Sequence, residues 1–203
     1  MSETNTIKAK DVKQLRDMTG AGMMDCKKAL RETSGDLEKA VDFLRARGTA
    51  KVAKRAEKAA NEGAIGSYVH FDGKTAVIIE VNCETDFVAN TDDFKNLAKD
   101  LAMHVASTAP LSVSAEGIDE AVIERERAVY LEQVKEEGKP EHIAERIIEG
   151  KLQKFFKESA LLAQPFVKDP DKTIEQLITE VSSKTGEKIE VARFVRFKVG
   201  EFS

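Results

Sequence analysis

Two alternating apolar segments flank the dipeptide Asp72-Gly73, and this hairpin constrains the fold more than any other feature of the chain. Ile65, Ser67, Val69 and Phe71 alternate with smaller or polar residues before the turn, and Val77-Ile78-Ile79-Glu80-Val81 returns after it. Asp-Gly supplies the backbone freedom that a tight hairpin connection demands. The next segment of the same period comes far downstream, where Ile189, Val191, Val195, Phe197 and Val199 all share one face. A hairpin joined late by a third strand predicts a small mixed or antiparallel three-stranded sheet with the intervening helices on one side. The fold class is then α+β, not doubly wound.

Helical spacing accounts for most of the rest. In the first fifty residues, Val12 and Leu15 recur at helical intervals before Gly20-Ala21-Gly22. Met24, Cys26, Ala29 and Leu30 suit a second helix that stops at Gly35. Asp36 is a good N-cap for a third, with Leu37, Ala40, Val41 and Leu44 as its apolar stripe. Three helices of this size form a bundle with little core, which works by presenting a face to a partner. Residues 51–61 are Ala- and Lys-rich and read as an exposed helical linker. Thr91 caps a helix carrying Phe94, Ala98, Leu101, Ala102 and Val105 on one face. Two charged amphipathic helices broken at Gly138-Lys139-Pro140 predict a projecting, coiled-coil-like hairpin over about 118–158. A last helix spans 173–183. The predicted organisation is a three-helix domain at 1–50, the linker, and an α+β core at 62–203 containing the hairpin.

Charge and composition narrow the function. Up to Ala60 there are 14 Lys and Arg against 9 Asp and Glu, and the remainder holds 18 against 27, so a basic module precedes an acidic body. A net charge of −4 argues against a general nucleic-acid binder, and the absence of Trp argues against aromatic stacking platforms. The basic run Lys51, Lys54, Arg55 and Lys58 reads as a solvated face. No run of about 18 apolar residues predicts a membrane span, and MSETNTIKAK lacks the apolar stretch of a signal segment. With only Cys26 and Cys83, the thiols read as reduced and the expected location is the cytoplasm.

No catalytic set survives inspection. Thr19-Gly20-Ala21-Gly22 lacks the third glycine and the Lys-Ser/Thr pair of a phosphate loop, and reads as a helix–helix turn. His70, His104 and His142 are isolated, so no metal or cofactor is expected. Two features remain. Met23 and Met24 are adjacent on a helix, where neighbours point about 100° apart, so both cannot be buried in so small a bundle. Methionine is soft and adaptable and serves at binding surfaces. The other feature is Thr85-Asp86-Phe87-Val88 within EVNCETDFVAN. Locally, Asp86 reads as a turn or N-cap acid, and Phe87 is either a core side chain or one meant for a partner.

These residues resemble a known family. The stretch LRDMTGAGMMDCKKAL, residues 15–30, resembles the N-terminal signature of bacterial translation elongation factor Ts, and EVNCETDFVAN, residues 80–90, resembles its second signature. Similarity continues through Ala102-Met103-His104-Val105-Ala106, Gln164-Pro165-Phe166-Val167 and Phe194 to Gly200. The resemblance implies an N-terminal bundle of ubiquitin-associated type and a guanine nucleotide exchange factor acting on the GTPase elongation factor Tu, GDP-bound or nucleotide-free, without covalent chemistry. It assigns Thr85, Asp86, Phe87 and Val88 to a segment that intrudes beside the GTPase's magnesium site. It assigns Arg16, Met23 and Met24 to the grip on a helix of the GTPase domain, and His104, Phe166 and Val167 to further contacts. Longer members carry two related core halves, whereas this chain has room for one. Short members pair, so a non-covalent homodimer through the C-terminal strand is expected. Two rival readings are a helical interaction module on an unrelated core, and a thiol enzyme using Cys26 or Cys83.

Overall fold

The structure, a computed structural model, describes residues 7–138 and 140–201. Residues 1–6 of the stretch read for a signal segment, Lys139 at the hairpin break, and the side chains of Lys51 and His142 lie outside the described residues. In chain order the elements are α1 (Ala9–Thr19), α2 (Met23–Glu32), α3 (Leu37–Ala53), β1 (Glu62–Val69), β2 (Thr75–Cys83), α4 (Asp86–Ala89), α5 (Asp92–Thr108), α6 (Glu120–Glu136), α7 (Glu141–Ser159), β3 (Pro165–Phe166), β4 (Asp169–Thr173), α8 (Ile174–Thr185) and β5 (Ile189–Lys198). The fold is α+β with a three-stranded antiparallel sheet. The chain divides into two compact units. One holds the described residues up to Gly63 with Asn82–Phe94 and Ile178–Glu190; the other holds Ala64–Val81, Lys95–Leu177 and the chain from Val191.

In the first unit, α1, α2 and α3 close around Val12, Leu15, Cys26, Ala29, Leu30 and Ala40, with Leu37, Val41 and Leu44 packed against them. Fully burying a leucine such as Leu15 or Leu30 contributes about 2 kcal/mol. Gly20 ends α1 in the left-handed region at φ 65°, donating its N–H to the Arg16 carbonyl at 2.8 Å. Asp36 caps α3 by accepting the Lys39 N–H at 3.1 Å. Gly48 lies so near the end of α8 that a Cβ there would approach the Ser183 hydroxyl to 2.6 Å. The helix expected across 51–61 stops at Ala53 and gives way to turns. The physical reason is pairing: Arg55 closes on Glu84 at 2.7 Å, and the Lys58 carbonyl accepts from the Lys188 ammonium at 3.2 Å.

The second unit is organised by the sheet, whose strand order is β1-β2-β5. The Asp72-Gly73 turn forms as read, with Gly73 at φ 68° and the Lys74 N–H on the Asp72 carboxylate at 2.9 Å. Val77, Ile79 and Val81 are buried on the inner face. α5 crosses that face so closely that a Cβ on Gly66 would come within 2.5 Å of the Ala98 carbonyl oxygen. Leu97, Ala98, Leu101, Ala102 and Val105 of α5 are buried, and Thr91 caps the helix through the Phe94 N–H at 3.3 Å.

The phase of the alternation differs from expectation on β5. Ile189 and Val191 are buried, but Val195, Phe197 and Val199 are exposed. Ala192 and Arg193 are both exposed, so burial changes phase there; Arg196 then turns inward to the Ala106 carbonyl at 3.4 Å. On β1, Gly66 faces α5, and Ile65 and Val69 lie outside. The outer face thus carries Ile65, Val69, Ile78, Val195, Phe197 and Val199, with Phe71 at the turn.

α6 and α7 form the expected hairpin around Val134, Ile148 and Leu152, with Tyr130 and Phe156 against them. Arg127 to Glu145 at 2.8 Å and Lys151 to Gln133 at 2.7 Å tie the arms. Gln164-Pro165-Phe166-Val167 is not only a passage between helices: β3 and β4 pair antiparallel, with Pro165 opposite Thr173 and Phe166 opposite Asp169. Thr173 and Gln176 exchange side-chain-to-backbone hydrogen bonds at 3.0 and 3.2 Å, a capping box that starts α8.

Candidate functional site

Phe87 is 82% exposed, so its side chain is not part of the core. It sits on α4, a single helical turn, between exposed Asp86 and half-buried Val88; Ala89 is the residue that turns inward. A turn of four residues has no stability of its own, because nucleating a helix fixes several dihedrals for one hydrogen bond. Its shape comes from its ends. Thr85, extended at φ −134° and ψ 154°, is the N-cap, its hydroxyl oxygen accepting the Val88 N–H at 3.4 Å. Beyond the turn, the Thr91 hydroxyl donates to the Val88 carbonyl at 2.7 Å, and the Asn90 amide to the Asp86 carbonyl at 3.0 Å.

Around the base of this turn, polar contacts come from residues far off in sequence. Glu187, 102 residues from Thr85, accepts the Thr85 N–H at 3.0 Å and the Thr85 O–H at 2.7 Å. Glu84 accepts the Lys188 N–H at 2.7 Å and the Arg55 guanidinium at 2.7 and 2.9 Å. The Lys188 N–H and the Arg55 guanidinium together hold the Glu84 carboxyl below the usual carboxylate range. Glu84 lies within the EVNCETDFVAN stretch, but nothing in the local sequence signalled Glu187 or Arg55 as parts of the site.

The same compact unit carries the other predicted contact residues. Arg16 is exposed, and Met23 and Met24 are 53% and 75% exposed at the start of α2. The Gly20-Ala21-Gly22 connection is a helix–helix turn, fixed by the Thr19 hydroxyl, which donates to the Leu15 carbonyl at 2.7 Å and accepts the Ala21 N–H at 3.3 Å. Lys184 covers Gly20 and pairs with Asp93 at 2.8 Å.

In the other unit His104, Phe166 and Val167 come together, but differently from expectation. His104 has no exposed surface and Phe166 is buried; Val167 alone of the three offers a side chain to solvent. His104 and Phe166 thus lie on the inner side of the segment that carries Val167. The His104 Nδ1 accepts the Val167 N–H at 3.3 Å, which leaves Nε2 to donate to the Gln164 side-chain Oε1 at 2.9 Å. Gln164 also takes the Thr108 hydroxyl at 2.9 Å. Burial pushes the His104 pKa down, in keeping with a neutral ring.

Neither thiol is set up as a nucleophile. Cys26 and Cys83 are buried and unpaired, and burial pushes both thiols up, Cys83 further through nearby Glu187. Among the described residues, no three His, Cys, Asp or Glu side chains are grouped as a metal site requires, and no helix is long and apolar enough to cross a membrane.

The candidate site is thus a capped turn and a helix start that hold Phe87, Met23 and Met24 in solvent. Comparison with known proteins identifies the family. The family model described as Elongation factor TS matches residues 4–201. The chain belongs to the elongation factor Ts family. It is 55% identical over 195 residues to Elongation factor Ts of Thermosipho melanesiensis, covering 96% of this chain and 100% of that one. Against Elongation factor Ts of Syntrophobacter fumaroxidans the identity is 55% over 197 residues, 97% and 98% of the two chains. Against that of Geobacter sulfurreducens it is 53% over 196 residues, 97% and 91%. As an elongation factor Ts family member, the chain is a translation elongation factor.

Proposed function

We propose that this protein is the guanine nucleotide exchange factor for elongation factor Tu, acting in the cytoplasm by binding alone. The observation that carries the reading is Phe87, a large apolar side chain held in water on a capped turn. A GTPase holds GDP through backbone amides and a magnesium ion that bridges phosphate oxygens to its side chains. Phe87 inserted between helices beside that site shifts them, while Asp86 competes for the same cations and donors. Thr85 and Val88 shape the intruding turn. Arg16, Met23 and Met24 grip the GTPase domain, and Val167, fixed by His104 and Phe166, adds contact elsewhere. Weakened GDP binding and weakened factor binding are one coupling free energy seen from two sides, so exchange is accelerated in both directions without covalent chemistry.

The outer sheet face supports a further element of this reading, a non-covalent homodimer. β5 is an edge strand, and Val195, Phe197 and Val199 share its outer side with Ile65, Val69 and Ile78. A contiguous apolar face of this kind is what a self-complementary interface buries.

Release of fluorescent GDP from purified elongation factor Tu tests the exchange reading. Wild type is expected to accelerate release and Phe87→Ala to lose that effect while remaining folded; an unchanged rate for Phe87→Ala would remove the wedge from the mechanism.

A further inference from the structure

A wedge displaces a partner's helices only if it is stiffer than they are. Phe87 has no packing of its own to supply that stiffness, and each freely rotating group ordered on binding lowers the binding gained. The stiffness must come from what holds Thr85. Two acids make reciprocal contacts across the base of the turn: the Glu84 carboxylate accepts the Lys188 N–H, and the Glu187 carboxylate accepts the Thr85 N–H. Glu187 does more, because it also takes the Thr85 O–H at 2.7 Å. With its proton committed there, the hydroxyl oxygen aims its lone pairs at the Val88 N–H. One carboxylate thereby sets both the start of α4 and the direction in which Asp86 and Phe87 leave it. Glu187 is itself anchored: Gly186 turns the chain at φ 77° after α8, and the Ser182 hydroxyl donates to the Glu187 carbonyl.

We propose that Glu187 is a positioning residue for nucleotide exchange, holding the Thr85 cap so that Phe87 enters the partner as a rigid projection. The proposal rests on the exchange reading above. Glu187 need not touch the GTPase. It acts on how far the bound wedge distorts the nucleotide site, so its loss appears in the rate at saturation and not in the concentration needed to reach it.

The test is stopped-flow release of fluorescent GDP from elongation factor Tu over a range of factor concentrations. Glu187→Ala is expected to lower the saturating rate about tenfold, as loss of two hydrogen bonds implies, with a half-saturating concentration within about threefold of wild type. Glu187→Gln keeps the volume but accepts through one oxygen only, and is expected to lose about threefold. It decides the matter if the alanine variant does not fold, as judged by circular dichroism. In a Phe87→Ala background, Glu187→Ala is expected to cost nothing further, since the wedge it orients is gone.

Four results would overturn the proposal. Wild type that fails to accelerate release removes the exchange reading and this inference with it. Wild-type acceleration, lost in Phe87→Ala but kept in both Glu187 variants, removes Glu187 alone. Equal losses from Glu187→Ala with and without Phe87 place its action elsewhere. A raised half-saturating concentration at an unchanged saturating rate makes it an ordinary contact or folding residue.

Discussion

Two parts of this molecule leave large apolar side chains in water, and they do so in opposite ways. The Thr85–Val88 turn exposes one phenylalanine, narrow and isolated, on a base made of charged and hydroxyl groups. The outer face of β1-β2-β5 exposes a broad, flat set including Val69, Phe197 and Val199, crossed by the Arg193–Glu80 pair at 2.8 Å. On the proposed reading, the single projection enters a crevice in the GTPase. On the same reading, the broad face meets a second copy of the chain, each residue near its symmetry mate. Exposure alone does not separate the two; shape and support do.

The largest expected effect falls on the flat face. Replacing Val195 and Phe197 together by Asp introduces charge where two apolar anchors meet, and should weaken pairing about a thousandfold, or about 4 kcal/mol. Sedimentation should then report the mass of one chain where the wild type gives two. If the wild type sediments as one chain at micromolar concentration, the comparison collapses to a single binding feature.

Next comes the projection. Phe87→Ala should reduce stimulated GDP release at least tenfold, about 1.4 kcal/mol, without altering the sedimented mass. A change in both would mean that the two features are not independent.

A smaller effect separates both from the interior and is read with pH. His104 is buried and its folded pKa lies below the ordinary 6.5. Stability from its neutral form is therefore complete above pH 6.5 and is lost as pH falls from there through the depressed value, because the unfolded chain binds the proton first. The melting temperature should drop on that acid side, and His104→Gln should flatten the drop. An identical acid profile for the two proteins would show that His104 does not set it.

The smallest is the thermal stability of Phe87→Ala. A side chain so exposed contributes little to folding, and the melting free energy should shift by no more than about 0.5 kcal/mol. A large destabilisation would mean that Phe87 packs in the free protein.

Much of this was readable from residues alone. Apolar spacing gave the helices, Asp72-Gly73 the hairpin, and Gly138 the break between α6 and α7. Alternation, however, reports a period and not a side. That Gly66 faces α5 while Ile65 faces water depends on where the helix lies, which no strand pattern encodes. The β3–β4 ribbon escaped because Pro165 and Pro170 are poor strand residues that tertiary pairing overrides. The Thr85–Val88 segment was legible as a motif. Its support was not, since Glu187 lies 102 residues from Thr85 and no local rule predicts such a contact. His104 stands out in sequence only as part of a matching segment; its burial on α5 and its bond to the Val167 N–H could not be read there.

The close passage of β1 over α5 has one more consequence. At Gly66 the strand meets the helix through backbone, and no side chain larger than hydrogen fits without pushing them apart. Position 66 is thus confined to glycine, while Ile65, Ser67 and Val69 on the other side are exposed. Single substitutions on the exposed side of this strand can therefore change the outer sheet face while the sheet-to-helix approach at Gly66 stays as it is.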